Sequence, residues 1–209
     1  MTDLTDAATR DGFGQGLIEA AEADPKIVGL CADLTGSMRM TEFEKKFPNR
    51  FVQVGVAEQN LIGTAAGLAL GGKIPFAASF AAFSPGRTFD QIRVSVAYSK
   101  LNVKIVGGHA GLATGPDGAS HQMLEDLAMM RALPNMTVVQ PADAEQARQA
   151  VHALAAHPGP AYLRLSRPKV RTLTKENIDF QIGKAQTLKQ GVDLTIIASG
   201  ITLQLAWEA

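Results

Sequence analysis

Residues 51–60 have the sequence FVQVGVAEQN, in which an apolar run ends at a glycine and an acid follows three residues later. The run at 51–54 predicts a short strand, and the small apolar residues at 57–70 predict a helix. Glu58 therefore stands at a strand-to-helix junction, where open α/β sheets bind ligands beyond the carboxyl ends of their strands. An acid in a first helical turn also complements the positive end of the helix, so Glu58 alone leaves both interpretations open.

The same alternation of short apolar runs and helical patterns extends along most of the chain. It predicts strands at residues 27–31, 51–54, 74–79, 103–106, 136–139 and 161–165. It predicts helices at residues 11–23, 41–46, 57–70, 88–99, 122–131 and 143–157. The fold class is therefore α/β, with a doubly wound, mainly parallel six-stranded sheet and helices on both faces.

Residues 169–190, beyond this pattern, are more polar and less regular than those before them. We assign residues 1–168 to one domain and 169–190 to a linker with a short strand pair. Residues 191–209 predict the start of an incomplete C-terminal α/β domain, with a strand at 194–200 and a helix after it. Because a single βα unit cannot bury both faces, we expect this tail to pack on a partner or to belong to a longer parent.

Composition narrows the function classes. The chain of 209 residues has 20 Lys and Arg against 20 Asp and Glu, with no basic run, so nothing indicates binding to nucleic acid or to an anionic membrane. Cys31 is the single cysteine, which excludes an intramolecular disulfide. Neither a secretory signal nor an apolar stretch of membrane-spanning length is recognisable, so we expect a cytoplasmic protein with small molecules or other proteins as partners.

Residues with useful chemistry follow the predicted strands, and in a parallel sheet those positions share one edge. In chain order they are Asp33, Ser37, Glu58, Phe80, Phe83, His109, Asp117, His121 and Arg167. Each also has a structural interpretation: loop and cap chemistry for Asp33 and Ser37, surface placement for a histidine, and core packing for the phenylalanines. Nucleotide phosphate loops, transition-metal motifs and the serine nucleophile elbow are absent from the sequence.

Five segments in order carry a resemblance to a known family. They are GVAE at 55–58, PFAASFAAF at 75–83, HAGL at 109–112 with DGASHQ at 117–122, PNM at 134–136 and LSR at 165–167. Together they resemble the pyrimidine-binding domain of thiamine-diphosphate-dependent transketolases over about residues 7–170. The start at Met1 is similar to transketolases made as two polypeptides, of which this chain would be the second.

The resemblance implies cofactor roles. Glu58 would hydrogen-bond ring nitrogen N1′ of thiamine diphosphate and favour the imino tautomer that removes the C2 proton of the thiazolium. Phe83 would stack on the aminopyrimidine with Phe80 beside it, and Asp33 would lie near the thiazolium.

The resemblance also implies substrate contacts. Arg10, Ser37, His109 and Arg167 match sugar-phosphate contacts, and guanidinium, imidazole and hydroxyl groups suit a phosphate dianion. Asp117 and His121 match residues that hold sugar hydroxyls and handle protons. The implied reaction transfers a two-carbon ketol unit from a ketose phosphate to an aldose phosphate, as in the pentose phosphate pathway, with Glu58, His121 and His109 as catalytic residues.

Three features depart from the family pattern. Gly86 stands where an aromatic residue is common, and Ala119-Ser120 replaces a common Pro-Thr pair. The diphosphate-binding signature, Gly-Asp-Gly followed by a later Asn, is absent, so Mg²⁺ and the diphosphate would be held by a partner chain. We therefore expect this chain to be inactive alone and to work with a diphosphate-binding N-terminal subunit, as a homodimer or heterotetramer.

Two alternatives remain open at this point. A deoxyxylulose-phosphate synthase or a 2-oxoacid dehydrogenase β-subunit shares a related glutamate motif, although Asp117, His121 and the paired phosphate positions favour transketolase. A non-catalytic assembly module from a truncated gene is the alternative of another class, suggested by the unfinished C-terminal unit.

Overall fold

Strands and helices alternate along the chain in this computed structural model, which describes residues 6–174 and 180–209. The strands are β1 (Asp6–Ala8), β2 (Ile27–Cys31), β3 (Phe51–Gln53), β4 (Ile74–Phe80), β5 (Lys104–Gly108), β6 (Thr137–Val139), β7 (Ala161–Arg164) and β8 (Lys169–Arg171). The helices are α1 (Thr9–Ala23), α2 (Thr41–Lys46), α3 (Glu58–Leu70), α4 (Phe89–Gln91), α5 (Asp126–Arg131), α6 (Ala144–Ala156) and α7 (Leu203–Glu208). Helix α4 continues as the π-helical segment Ile92–Tyr98.

The main sheet has six parallel strands in the order β3-β2-β4-β5-β7-β6, which confirms the predicted fold class. The chain runs outward from β2 to β3 and then returns to β4 on the other side of β2. This reversal opens a crevice beyond the carboxyl ends of β2 and β4, the place where such sheets bind ligands. Glu58 begins the helix that follows β3, directly beside this crevice.

Each face of the sheet is covered by its own apolar cluster. Phe13 and Leu17 of α1 pack with Phe43 and Phe76 on one face. Leu61 and Ile62 of α3 pack with Tyr162 on the other. Side chains along β2 alternate between the two clusters, as the period of two in a strand requires, so helices on both faces are confirmed.

Glycines in α1 serve helix packing. A Cβ at Gly12 would collide with the carbonyl oxygen of Ala144, and a Cβ at Gly16 would lie 2.8 Å from that of Arg148. The absent side chains therefore let α1 and α6 approach closely. The glycines of the GFGQG run at 12–16 therefore serve close helix packing, a role that their sequence pattern did not indicate.

The segments after β7 differ from the sequence-based expectation. The predicted strand at 194–200 is wrong: residues 192–199 form no strand, and Ile197 is 91% exposed. A strand needs a neighbour for its backbone hydrogen bonds, and this segment has none in the described part of the chain. A helix does form after it, as α7.

The predicted strand pair within the linker is also wrong for the described residues. Strand β8 pairs antiparallel with β1, with Ala7 opposite Val170, so it joins the two ends of the domain. The described residues 180–190 contain no strand, and residues 175–179 lie outside the described residues. Helix α5 begins at Asp126 and not at 122, because residues 111–121 form short turns with positive φ at three glycines.

Candidate functional site

Glu58 is the first residue of α3, and its side chain is only 7% exposed. Gly55 has φ +70, a conformation that glycine adopts freely, and it turns the chain between β3 and α3. The carboxylate Oε2 lies 3.5 Å from Nη1 of Arg87. An open cleft of about 380 Å³ is lined by residues 56–60 and Arg87. The buried acid therefore faces a cleft of a size that admits a small ring.

Aromatic rings extend from this cleft into the domain. The Phe80 ring stacks on that of His109, with centroids 3.8 Å apart, and lies 5.8 Å from that of Phe83. His121 meets the Phe83 ring edge-on at 5.2 Å. Phe80 is buried while Phe83 is only partly so, so Phe83 retains a face for a ligand. On that ring lies the guanidinium carbon of Arg87, 4.2 Å from the centroid.

A basic cluster made of Arg10, His109 and Arg167 lies at the other end of the aromatic rings. Nη1 of Arg10 donates to the Ser37 carbonyl at 3.0 Å and lies 3.2 Å from Nε2 of His109. Nη1 of Arg167 donates to the Thr114 carbonyl at 3.0 Å. Ser37 therefore contacts Arg10 through its backbone carbonyl, which leaves the hydroxyl available.

His109 is neutral at physiological pH. Burial, followed by the charges of Arg10 and Arg167, lowers its pKa from 6.5 to about 4. Since Nε2 accepts from Arg10, the proton of the neutral ring resides on Nδ1. Nδ1 of His109 and Nε of Arg10 are buried and have no hydrogen-bond partner among the described residues. Buried donors without partners are rare in proteins, and a ligand would satisfy these two only after the side chains around them move to admit it.

Asp117 and His121 lie on the turns between β5 and α5. Asp117 is exposed, and its charge opposes the lowering of the His109 pKa, so it lies within electrostatic reach of that imidazole. Nδ1 of His121 lies 2.9 Å from the Ser120 hydroxyl. The structure therefore joins His121 to the aromatic rings, whereas Asp117 stands at the exposed margin.

Asp33 is held by a residue that sequence reasoning missed. The Gln53 side-chain oxygen accepts from the Asp33 backbone N–H at 2.7 Å and from that of Gly55 at 3.2 Å. The Gln53 amide donates to the Thr35 hydroxyl at 2.9 Å. One glutamine thus ties the loop after β2 to the turn that precedes Glu58. Its only sequence signal is a polar residue within an apolar run.

Gly86 has a local reason to lack a side chain. A Cβ there would collide with the carbonyl oxygen of Ala82, in the tight turn after Phe83. An aromatic side chain at this position would therefore require a different backbone turn.

Comparisons with known proteins agree with this architecture. Residues 5–172 match the family model for the transketolase pyrimidine-binding domain. The chain belongs to the transketolase family. It is 50% identical over 193 residues to the putative transketolase C-terminal section of Methanocaldococcus jannaschii, covering 91% of this chain and 61% of that protein. It is 46% identical over 192 residues to the 6-deoxy-6-sulfo-D-fructose transketolase subunit SqwH of a Clostridium species, covering 92% and 60%.

A solved structure described as a split gene transketolase, an inactive beta4 tetramer, is similar with a TM-score of 0.89 and 50% identity. It covers 98% of this chain and 66% of that one. The chain thus spans about three fifths of the length of these two curated relatives. The family and the fold are established by these matches.

Two further features are absent from the part of the chain that the structure describes. There, no group of three or more His, Cys, Asp or Glu residues is placed to hold a metal ion. Across the same residues, no helix combines the length and apolar character needed to cross a bilayer.

The residues present fit thiamine diphosphate at its ring end. Phe83 offers a partly buried aromatic face, Glu58 offers a buried carboxylate, and the Arg87 side chain contacts both. The chemistry of this donor set suits a flat aminopyrimidine, which needs stacking and one carboxylate partner.

Proposed function

We propose that this chain is the pyrimidine-binding half of a transketolase that transfers a two-carbon ketol unit between sugar phosphates. The observation that carries the proposal is the placement of the buried Glu58 carboxylate beside the Phe83 ring, at the crevice where the strand order reverses. When bound, thiamine diphosphate supplies the nucleophilic carbon. Glu58 holds a proton at ring nitrogen N1′, and Phe83 orients the ring.

The basic cluster receives the phosphate of the sugar. Arg10 and Arg167 supply positive charge, and Nδ1–H of the neutral His109 donates a hydrogen bond. Arg10 and Arg167 are already held by backbone carbonyls, so little ordering is needed when the anion arrives. His121, whose ring meets those of Phe80 and Phe83 edge-on, handles protons of the sugar hydroxyls, with Asp117 at the exposed margin.

Activity requires a second chain that binds the diphosphate and Mg²⁺. The described residues include no cluster of metal-ligating side chains, and the two relatives that this chain matches over about three fifths of their length bear the names "C-terminal section" and "subunit". We assign the diphosphate to an N-terminal partner subunit, since Mg²⁺ requires carboxylate and amide oxygens together with phosphate.

Two copies of this chain are proposed to meet through α3 and the π-helical segment. Leu70 and Tyr98 are exposed there, Tyr98 by 84%. Gly63 and Gly67 present open backbone on the same outer side of α3. Large apolar side chains beside open backbone suit close packing of a second helix surface.

Reconstitution tests the proposal. The chain is mixed with its diphosphate-binding partner, thiamine diphosphate, Mg²⁺, xylulose 5-phosphate and ribose 5-phosphate, and sedoheptulose 7-phosphate is measured. We expect product only when both chains are present. Absence of product from a folded complex, with these and with sulfonated or branched sugar donors, would contradict ketol transfer. Pyruvate decarboxylation would assign the chain to the synthase or dehydrogenase alternatives.

A further inference from the structure

In the cleft lined by residues 56–60 and Arg87, called the glutamate cleft below, the Arg87 side chain contacts the two groups that a bound ring would use. These groups are the Phe83 ring and the Glu58 carboxylate. Its guanidinium carbon lies 4.2 Å from the centroid of the Phe83 ring. Its Nη1 lies 3.5 Å from Oε2 of Glu58. The stacking face and the carboxylate are therefore both in contact with one side chain.

A guanidinium and an aminopyrimidine present similar chemistry to these two groups. Both are flat and delocalised, both stack on an aromatic face, and both can offer N–H to a carboxylate. Two groups of this kind cannot share one face of Phe83 and one carboxylate oxygen. Contact with Arg87 and contact with the ring are therefore alternatives.

The Arg87 side chain is free to leave. It is 55% exposed, and among the described residues it contacts the Phe83 ring and the Glu58 carboxylate. The backbone beneath it is fixed, because the Arg87 N–H donates to the Phe83 carbonyl at 3.0 Å. A swing of the side chain alone would open the cleft.

We propose that Arg87 is an affinity-determining residue that fills the ring position in the cofactor-free chain and must swing out before thiamine diphosphate binds. The inference rests on the proposed function, since it assumes that Glu58 and Phe83 receive the aminopyrimidine. Cofactor affinity is reduced by the fraction of chains in which Arg87 closes the cleft. Arg87 thereby satisfies the buried Glu58 carboxylate until the ring replaces it.

The test is isothermal titration of thiamine diphosphate, with Mg²⁺, into the complex of this chain with its diphosphate-binding partner. We compare the wild type with Arg87→Ala, Arg87→Lys and the charge-matched control Arg131→Ala, which removes an exposed arginine at the end of α5. Arg87→Ala is expected to lower Kd by about 3- to 10-fold, since the contacts of one exposed guanidinium with the Glu58 carboxylate and with the Phe83 ring are both removed. The Kd of Arg87→Lys is expected to lie between those of the wild type and Arg87→Ala, because an ammonium keeps the charge and loses the flat stacking surface.

The outcomes separate the inference from the function on which it rests. An unchanged or raised Kd in Arg87→Ala, with tight binding by the wild type, would overturn the role of Arg87 and leave the function standing. If none of the four complexes bound the cofactor, both the role of Arg87 and the proposed function would be contradicted. In a Glu58→Gln background the gain from Arg87→Ala should shrink, because the charge partner is already gone. An equal gain there would contradict competition for Glu58.

Discussion

The two ends of the candidate site are built differently. The cleft at Glu58, lined by residues 56–60 and Arg87, is covered only by the exposed Arg87 side chain, which also lies on the Phe83 ring. In the basic cluster, by contrast, His109 is 3% exposed, and both arginines donate to backbone carbonyls. The cluster is preformed, whereas the cleft contains a side chain that can move.

This difference follows the chemistry proposed for each end. A phosphate brings its charge to a site whose cations are already fixed, so affinity is gained by preorganisation. The cluster holds its histidine neutral, because burial and two nearby guanidinium groups oppose a further charge. The cleft instead holds one acid whose positive partner is replaceable.

The largest effect should come from Glu58→Gln, which removes the carboxylate of the cleft and leaves the basic cluster unchanged. The amide cannot share a proton with the ring as a carboxylate does, so kcat of the reconstituted complex should fall by about 10²- to 10⁴-fold. Rates are measured with saturating substrates, and Glu44→Gln on the exposed side of α2 is the matched control. Normal turnover in the variant would remove Glu58 from the mechanism.

The next prediction concerns how the free energy of unfolding depends on pH, which tests the basic cluster through His109. The folded pKa of His109 is about 4 and its ordinary value is 6.5, so the unfolded chain binds the extra proton between these values. The free energy of unfolding should therefore fall as the pH drops from about 6.5 to 4, by on the order of 3 kcal/mol from His109, and be insensitive to it above 6.5.

Denaturant unfolding at pH 7, 5 and 4 measures this loss. His109→Asn should reduce it, and the difference between wild type and variant isolates His109 from other groups such as His157. Asparagine suits the position because His109 has φ +55, which asparagine tolerates better than most residues. An identical pH profile in both proteins would show that His109 is not held neutral.

A smaller effect should follow from Arg10→Lys in the cluster. Lysine keeps the charge but loses the fork that reaches both the Ser37 carbonyl and His109. We expect KM for the ketose phosphate to rise about 10-fold with little change in kcat, as assays over a range of donor concentrations would show. A fall in kcat at constant KM would place Arg10 in the chemical step.

The smallest effect should come from Gln53→Leu, which leaves both ends intact and loosens the turn between them. Loss of hydrogen bonds at an exposed position should weaken thiamine diphosphate binding by about 3- to 10-fold in the complex. Gln53→Glu retains the acceptor for both backbone N–H groups and should restore most of the affinity. Equal weakening by both variants would indicate general destabilisation.

Much of this arrangement is predictable from the sequence. The six strands and the helices on both faces follow from the spacing of apolar residues and from the glycines and prolines between them, because the central strands β2, β4 and β5 are almost entirely buried. The positions after those strands meet at one edge by topology alone, so Glu58, Phe80, Phe83 and His109 could be grouped before any coordinates were known.

Other features depend on partners that local sequence cannot reveal. Residues 194–200 have strand-like composition but no neighbouring strand in the described chain, and β8 finds its partner more than 160 residues away, at β1. Gln53 acts on backbone donors from a loop 20 residues earlier. The contact of Arg87 with both Phe83 and Glu58 joins two different elements, so neither segment indicates it alone.

The central claim is that Glu58 holds a proton at the ring nitrogen of thiamine diphosphate. Nitrogen-15 NMR of cofactor labelled at N1′, bound to the reconstituted complex, measures this directly. We predict that the N1′ resonance moves toward that of a protonated nitrogen in the wild type and remains near that of an unprotonated nitrogen in Glu58→Gln. The same resonance position in both complexes would contradict the account.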